Sequence, residues 1–361
     1  MRAFLEPRHE VAALHGLAQG LRTRPASADD QAARTEARKL LAMLGSAGAF
    51  QPIADRDLRA CCLTREALAA ASPLADAVFA LQALSAVALT LSKRGDVAAS
   101  LISGEQMGAF AITEHDAGSD VAGMTTTATR RGERWALNGH KAFISNAGIA
   151  DIYVVFAQTE PGAGKKGIGA FLVQGGANGL SHTPQVLAEP HPLGEMHLVD
   201  CPAELLASPG EGLKVALATL DFVRPSVGAA ACGMAARALE EAVAHVKARK
   251  QFGQALAEFQ LVQDRLARMA LDLDAARLMV YRAAWVKDQG ADRITMEAAQ
   301  AKAFATEAAQ RVVDGAVQLL GGRGVLANHP VDRLYRAVRA LRIYEGTTEI
   351  QHLLIASQLL K

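Results

Sequence analysis

The chain has 361 residues, 50% of them hydrophobic and 21% charged, which is ample core-forming material for two or three domains. Thirty-eight basic residues against 37 acidic ones leave a formal charge of +1, with no block of five like charges to gather nucleic acid or an anionic membrane, so neither partner is expected. The opening Met1–Arg8 lacks an apolar h-region, so no signal peptide is visible, and the four cysteines show no CxxC or framework spacing, which fits a reducing cytoplasm.

From Glu10 to about Ser103 the pattern is Ala- and Leu-rich and helical, with breaks at Arg24-Pro25, Gln51-Pro52 and Ser72-Pro73. This predicts a helical domain over residues 1–107. Its least charged stretch, Ala77 to Ser92, is broken by Gln82, Ser85 and Thr90 and is too short to span a bilayer, so it reads as a buried helix. Near Gly108 the character changes. Thr125–Thr129, Trp135–Leu137, Ile152–Phe156 and Ala170–Val173 are short β-prone runs between Gly and Asn turns, predicting a β domain over residues 108–207. Pro209-Gly210-Glu211-Gly212 marks the next boundary.

Beyond it, helices are expected from Gly212 to Arg249 around Pro225, from Glu258 to about Lys287, from Met296 to Leu320 ended by Gly321-Gly322, and from Pro330 onward. Phe259, Val262, Leu266, Met269, Leu273, Ala276 and Val280 recur at spacings of three and four, one apolar stripe as in a bundle helix. Residues 208–361 therefore read as a four-helix bundle. The fold class is mainly α with a β domain: helices, a β-barrel or sandwich, then a bundle.

Between the apolar stretches Val331–Leu341 and Ile350–Leu360, Tyr344-Glu345-Gly346 sets a carboxylate beside a glycine. A glycine lets backbone approach a ligand, and an apolar setting raises a carboxyl pKa toward the range of a general base, although a lone Glu-Gly is far more often a solvated turn. His191 and His197 flank Glu195, but Pro192 and Gly194 between them argue against a metal site.

Four further segments change that balance. They are Ala111–Asp120, Leu137–Asn146, Arg249-Lys250-Gln251-Phe252-Gly253 and Gln318–Gly324, and with the Glu345 segment they stand in the order and approximate spacing used by the acyl-CoA dehydrogenase family. The chain resembles that family from about Gly108 to its C-terminus. The resemblance implies FAD as cofactor, an acyl-CoA substrate, an electron-transfer flavoprotein as acceptor, and a homotetramer or homodimer. It implies that Glu345 removes the α-proton while flavin N5 takes the β-hydride, giving the trans-2-enoyl-CoA, with the Glu345 N–H polarising the thioester carbonyl. Some members carry the base just before an early bundle Arg; that position is Val223 here, which cannot take a proton.

By the same resemblance Thr113, Phe143 and Ser145 match positions around the flavin ring, and Ser119 matches one at the pyrophosphate. Phe143 replaces the family's usual Trp. Arg249, Phe252, Gln318, Gly321 and Gly322 match the pocket for a neighbouring subunit's FAD, and Thr347 and Glu349 match positions near the cofactor. Arg224, Asp221, Tyr344 and Gly346 match the substrate side. The chain departs from the family in a trimmed N-terminal domain and in a shortened stretch, Glu189–Leu198, both of which leave substrate identity open. Because Ala71 to Ser92, which the resemblance implies helps wall the acyl tunnel, contains no Arg or Lys, a neutral acyl group is expected over a dicarboxylic one, and the trimmed N-terminal domain, leaving less wall for a long tunnel, favours a short or branched chain. Alternatives are an acyl-CoA oxidase and a scaffold that has lost flavin.

Overall fold

The computed structural model describes residues 2–9 and 12–361, with side chains left out at residues 2 and 12–15; Met1 and the expected helical start at Glu10 lie outside the described residues. Six helices come first: α1 Ala12–Arg22, α2 Asp30–Ser46, α3 Gln51–Ala54, α4 Leu58–Ala71, α5 Pro73–Leu91 and α6 Gly95–Ile102. Strands follow: β1 Gly108–Ala111, β2 Thr127–Arg131, β3 Arg134–Ser145, β4 Ile152–Gln158, β5 Ile168–Gln174, β6 Leu180–Pro184 and β7 Leu193–Ala207. Then come α7 Glu211–Ala248, the short pair β8 Lys250–Gln251 and β9 Gln254–Ala255, α8 Gln260–Asp288, α9 Thr295–Leu320, α10 Pro330–Leu341 and α11 Thr348–Leu359. Helices, a β domain and a helical C-terminal domain are the expected architecture.

The expected break at Gln51-Pro52 is present: α2 ends at Ser46, and Pro52 lies in the first turn of the next helix, α3, where a missing N–H costs nothing. Strands β1, β6 and β7 were not anticipated; β7 carries Pro202 and an irregular polar pattern, and its place comes from pairing with β3, β5 and β6 rather than from alternation.

By internal packing the chain divides into two units, one of Met1–Arg24, Asp57–Asp76 and Arg224–Lys361, the other of Pro25–Arg56 and Ala77–Val223. In the second unit β4 pairs β1 in parallel and β5 antiparallel, β5 and β3 both pair β7, and β2 joins β3 to β4. The ring β4-β2-β3-β7-β5 thus closes on itself and leaves β1 and β6 as attachments. Tyr153, Val155, Phe171, Val173, Met196 and Leu198 fill its core. Arg34 of α2 braces this unit, donating to Ala147 O and Leu193 O at 2.6 Å each while pairing with Asp30.

In the first unit, α9 is lined with buried alanines, so neighbouring helices approach closely. Gly228 of α7 lies so near α8 and α9 that an added Cβ would stand 2.7 Å from Val280 Cγ2 and 3.2 Å from Ala305 Cβ. Asp288 at the end of α8 accepts from Leu58 N and Arg59 N, capping α4 with a charge of the sign its N-terminus favours, and pairs with Arg59 at 2.8 Å. Glu66 of α4 accepts from Arg277 Nε and the Tyr281 hydroxyl of α8. The apolar stretch within α5 and the long helix α7 have the length and hydropathy of membrane spans, but most of each window is buried in protein.

The tightest of these approaches is Gly233, whose Cβ would meet Glu66 O at 2.1 Å. Gly233→Ala forces α4 and α7 apart and should cost about 1–3 kcal/mol. A lowered denaturant midpoint with unchanged m-value is the expected result, and an unchanged midpoint would show that the helices separate freely.

Candidate active site

In the β unit, the pairing of β3 with β7 slips between Lys141 and Ile144. The bulge frees Ala142 N to bond Thr113 O at 2.9 Å, and places Phe143 in the left-handed region at φ 57. Phe143 is 55% exposed although its backbone is strained. Thr113, just past β1, is thereby drawn to Phe143 and Ser145. The Thr113 hydroxyl makes no hydrogen bond among the described residues, whereas the Ser145 hydroxyl lies 2.7 Å from His191 Nε2.

Glu114 anchors this corner. It pairs with buried Lys141 at 2.8 Å and accepts from Thr125 N and Thr126 N. Burial works to raise its pKa, but Lys141 and these donors prevail and hold it at about 2. Ser119 is exposed beyond the Glu114–Ala117 bridge, and half-buried Asp221 lies on α7 within this same unit.

In the helical unit, α10 and α11 are joined by a turn in which Glu345 has φ 56 and Gly346 φ 91. The turned carbonyls are each held. Arg224 Nε donates to Glu345 O at 3.1 Å; buried Lys302 donates to Gly346 O at 2.7 Å; and Gln351 Nε2 reaches both, at 3.3 and 2.9 Å. A Cβ on Gly346 would meet Gln351 Nε2 at 2.6 Å, so both space and conformation require glycine. Glu307 of α9 closes the turn by accepting from Arg342 Nε and Thr348 Oγ1 at 2.8 Å each.

Glu345 is half-buried, and its Oε2 has no hydrogen-bond partner among the described residues. Burial raises its pKa, against the pull of Arg65, Arg224 and Lys302 and with the push of Asp76. Arg65 is fully buried, bidentate to Asp76 at 2.8 and 2.9 Å and bonded to Ser226 Oγ at 3.1 Å. Tyr344 stands beside this pair, its hydroxyl pKa raised by burial. Thr347 caps α11 by accepting from Ile350 N, and Glu349 is exposed in the first helical turn. Of the two carboxylates of this segment, Glu345 has its pKa raised and Glu349 has its lowered.

The same unit carries an exposed cationic end. Phe252 and Gly253, at φ 51 and 86, form the turn between β8 and β9, and Phe252 is 95% exposed. Arg249 precedes β8. Gln318 and the exposed Gly321 and Gly322 end α9, with Gly321 at φ 59 and space around both glycines. Burial and then the charges of Arg323, Arg249 and His329 lower the pKa of His245, so these groups gather at one end. Neither Arg249 nor Arg323 forms a salt bridge among the described residues, a donor set that fits phosphate.

Nothing in the sequence pattern singles out Lys302, Gln351, Glu307 or Arg65, and it offers His191 only as a metal ligand. Arg65 is the cation one helix before Ala71–Ser92, and Asp76 neutralises it. The His191–Glu195–His197 pattern forms no metal cluster among the described residues, and His191 turns to Ser145 instead.

The β unit presents hydroxyls and an exposed aromatic, and the helical unit presents a desolvated carboxylate and a cationic end. Residues 109–201 and 210–360 match the family descriptions "Acyl-CoA dehydrogenase, middle domain" and "Acyl-CoA dehydrogenase, C-terminal domain", and the chain belongs to the acyl-CoA dehydrogenase family. It is 38% identical over 315 residues to a probable acyl-CoA dehydrogenase FadE25 of Mycobacterium tuberculosis, covering 84% of this chain and 81% of that protein. Its structure resembles butyryl-CoA dehydrogenase from Megasphaera elsdenii, with a TM-score of 0.89, 30% identity and 99% of each chain covered. A chain from a study of the electron transferring flavoprotein of Acidaminococcus fermentans matches at TM-score 0.90 and 30% identity, again over 99% of each chain.

Lys302 gives a prediction of its own. Burial lowers its pKa to about 8 from 10.5. The cost of keeping it charged is present in full below pH 8 and gone above 10.5, so its contribution to stability rises across that window. Lys302→Met should remove this slope from denaturant midpoints measured between pH 7.5 and 10. It should also slow turnover ~10- to 100-fold, because the Glu345–Gly346 peptide loses a clamp; an unchanged pH slope would mean that Lys302 is hydrated.

Proposed function

We propose that this FAD-dependent oxidoreductase dehydrogenates a neutral, short or branched acyl-CoA to the trans-2-enoyl-CoA, with Glu345 as the base that removes the α-proton. The observation that carries this reading is the Glu345 carboxylate itself: one oxygen without a partner, proton affinity raised by burial, and a backbone fixed in a conformation few non-glycine residues adopt. The α-proton of a thioester is a weak acid, so a base must be both desolvated and fixed. The Glu345 N–H serves as the donor that polarises the thioester carbonyl, and Arg224 holds the carbonyl of the same residue.

FAD, when bound, accepts the β-hydrogen as hydride. Thr113, Phe143, Ser145 and Ser119 would be its contacts in the β unit and Thr347 and Glu349 those in the helical unit, while Arg249, Phe252, Gln318, Gly321 and Gly322 would serve the nucleotide of a neighbouring subunit. The fit rests on the Thr113 hydroxyl, without a hydrogen bond among the described residues, on the Arg249 guanidinium, without a salt bridge among them, and on Phe143 and Phe252, exposed at left-handed φ. A homotetramer or homodimer follows from that sharing, with electrons passing to an electron-transfer flavoprotein in the cytoplasm. Tyr344 and Gly346 border the acyl group, with Asp221 on the CoA side. Arg65 does not recruit a second carboxylate, because its charge is already neutralised by a bidentate pair with Asp76 in a fully buried position.

Glu345→Gln should leave the fold and the yellow colour intact and lower turnover at least ~10³-fold, since an amide cannot accept the proton. Comparable activity would transfer the role elsewhere. Arg249→Ala should lose FAD on dialysis, and undiminished flavin content would overturn the shared pocket. Anaerobic bleaching with straight, branched, aromatic and dicarboxylic acyl-CoAs tests the substrate. Fastest bleaching by glutaryl-CoA or by chains of C12 and longer would overturn the choice, peroxide formation in air would indicate an oxidase, and no bleaching of FAD-loaded protein would overturn the reaction.

A further inference from the structure

We propose that His191 is a positioning residue that sets the direction of the Ser145 hydroxyl toward the flavin ring; this rests on the reading of Ser145 as a flavin contact. The geometry begins with the 2.7 Å approach of His191 Nε2 to Ser145 Oγ. Three further bonds hold the two residues in register. Asn146 N donates to Pro192 O at 2.9 Å, and Arg34 donates to Ala147 O and to Leu193 O, one residue beyond each side of the contact. Ser145 pairs directly with Leu193 across β3 and β7. The backbone that carries His191 therefore cannot shift relative to Ser145 without breaking the strand pairing and the Arg34 brace.

The histidine is also kept uncharged. Burial, and then the Arg34 guanidinium, lower its pKa to about 4, with Asp30 the opposing charge. A neutral imidazole has one N–H and one lone pair, so Nε2 either donates to Ser145 Oγ or accepts from it. In the first case the serine proton points outward as a donor. In the second it points to His191 and leaves Oγ as an outward acceptor. A ring nitrogen of oxidised flavin offers a lone pair and the same nitrogen after reduction carries a hydrogen, so the two tautomers of His191 serve the two redox states. Exchanging tautomers moves a proton from one ring nitrogen to the other through solvent, and the histidine's charge stays zero.

A cationic imidazole could only donate, which would fix the serine as an outward donor and favour the oxidised ring.

The test uses FAD-loaded protein and reads the equilibrium between oxidised and reduced flavin against a reference dye, together with flavin content and the absorption spectrum. Ser145→Ala and His191→Phe should each raise the FAD dissociation constant about tenfold for the oxidised and the reduced protein alike, the worth of one hydrogen bond, so that flavin content falls while the oxidised-to-reduced ratio holds; His191→Gln, which can both donate and accept, should restore retention. Weaker retention in S145A with no loss in H191F overturns the positioning role and leaves the flavin contact standing. Full retention in both overturns the contact and the role together, and a redox ratio shifted tenfold in H191F overturns the service of both redox states. Should H191F not fold, imidazole nitrogen resonances of selectively labelled wild-type holoenzyme decide: a change in the protonated nitrogen of His191 between oxidised and reduced enzyme is expected, and identical resonances overturn the proposal.

Discussion

The left-handed peptide at Glu345–Gly346 is the constraint around which the helical unit is arranged. Two consecutive residues with positive φ turn their carbonyls away from any helix, and each carbonyl needs a donor. Arg224, Lys302 and Gln351 supply them from α7, α9 and α11, three elements that meet only because α9 is lined with alanine and α7 carries glycine where it passes α8 and α9. Small side chains let the helices close, and closing them buries the lysine.

Electrostatics at this turn could have gone either way. Arg65, Arg224 and Lys302 all favour an ionised Glu345, and at surface dielectric values three nearby cations would win. They do not win here, because Asp76 cancels much of Arg65, and because Lys302 and Arg224 spend hydrogen bonds on backbone carbonyls rather than on the carboxylate. Burial therefore dominates, leaving a carboxyl with raised proton affinity and one unsatisfied oxygen. An ion pair to Glu345 would have stabilised the fold and weakened the base.

Strain recurs at Phe143 and Phe252. Each is a bulky residue in the left-handed region, a conformation costing roughly 1–2 kcal/mol, and each leaves its ring largely in solvent. The fold gains little burial from either ring, each of which rests edge-on against one aromatic neighbour, His115 for Phe143 and Phe259 for Phe252. At Phe143 a bulge creates the left-handed conformation, and the same bulge draws in Thr113 and sets Ser145 opposite the His191 turn.

Local signals were enough to read the helical and β segments and the glycines that end them. Periodicity gave α8 within two residues of its observed span, and the pattern around Glu345 gave the turn between α10 and α11. Family motifs gave Glu345, Thr113, Phe143, Ser145 and Arg249 as candidates, because each lies in a contiguous run whose order survives in one dimension. Strand β7 was illegible, since its stability is borrowed from three partners and its own sequence does not alternate. Lys302, Arg65 and His191 were illegible for the same kind of reason. A lysine in an alanine-rich helix, an arginine in mid-helix and a histidine between prolines have no pattern of their own; only the packing that desolvates them, and sets each against a carbonyl, a carboxylate or a hydroxyl on another element, decides what they do. The sequence by itself determined which segments fold and which chemical groups are present, because propensity and periodicity act over short distances. The tertiary structure decided which of those groups lose water and which backbone atoms they hold, because burial and hydrogen bonding depend on neighbours brought together from distant positions.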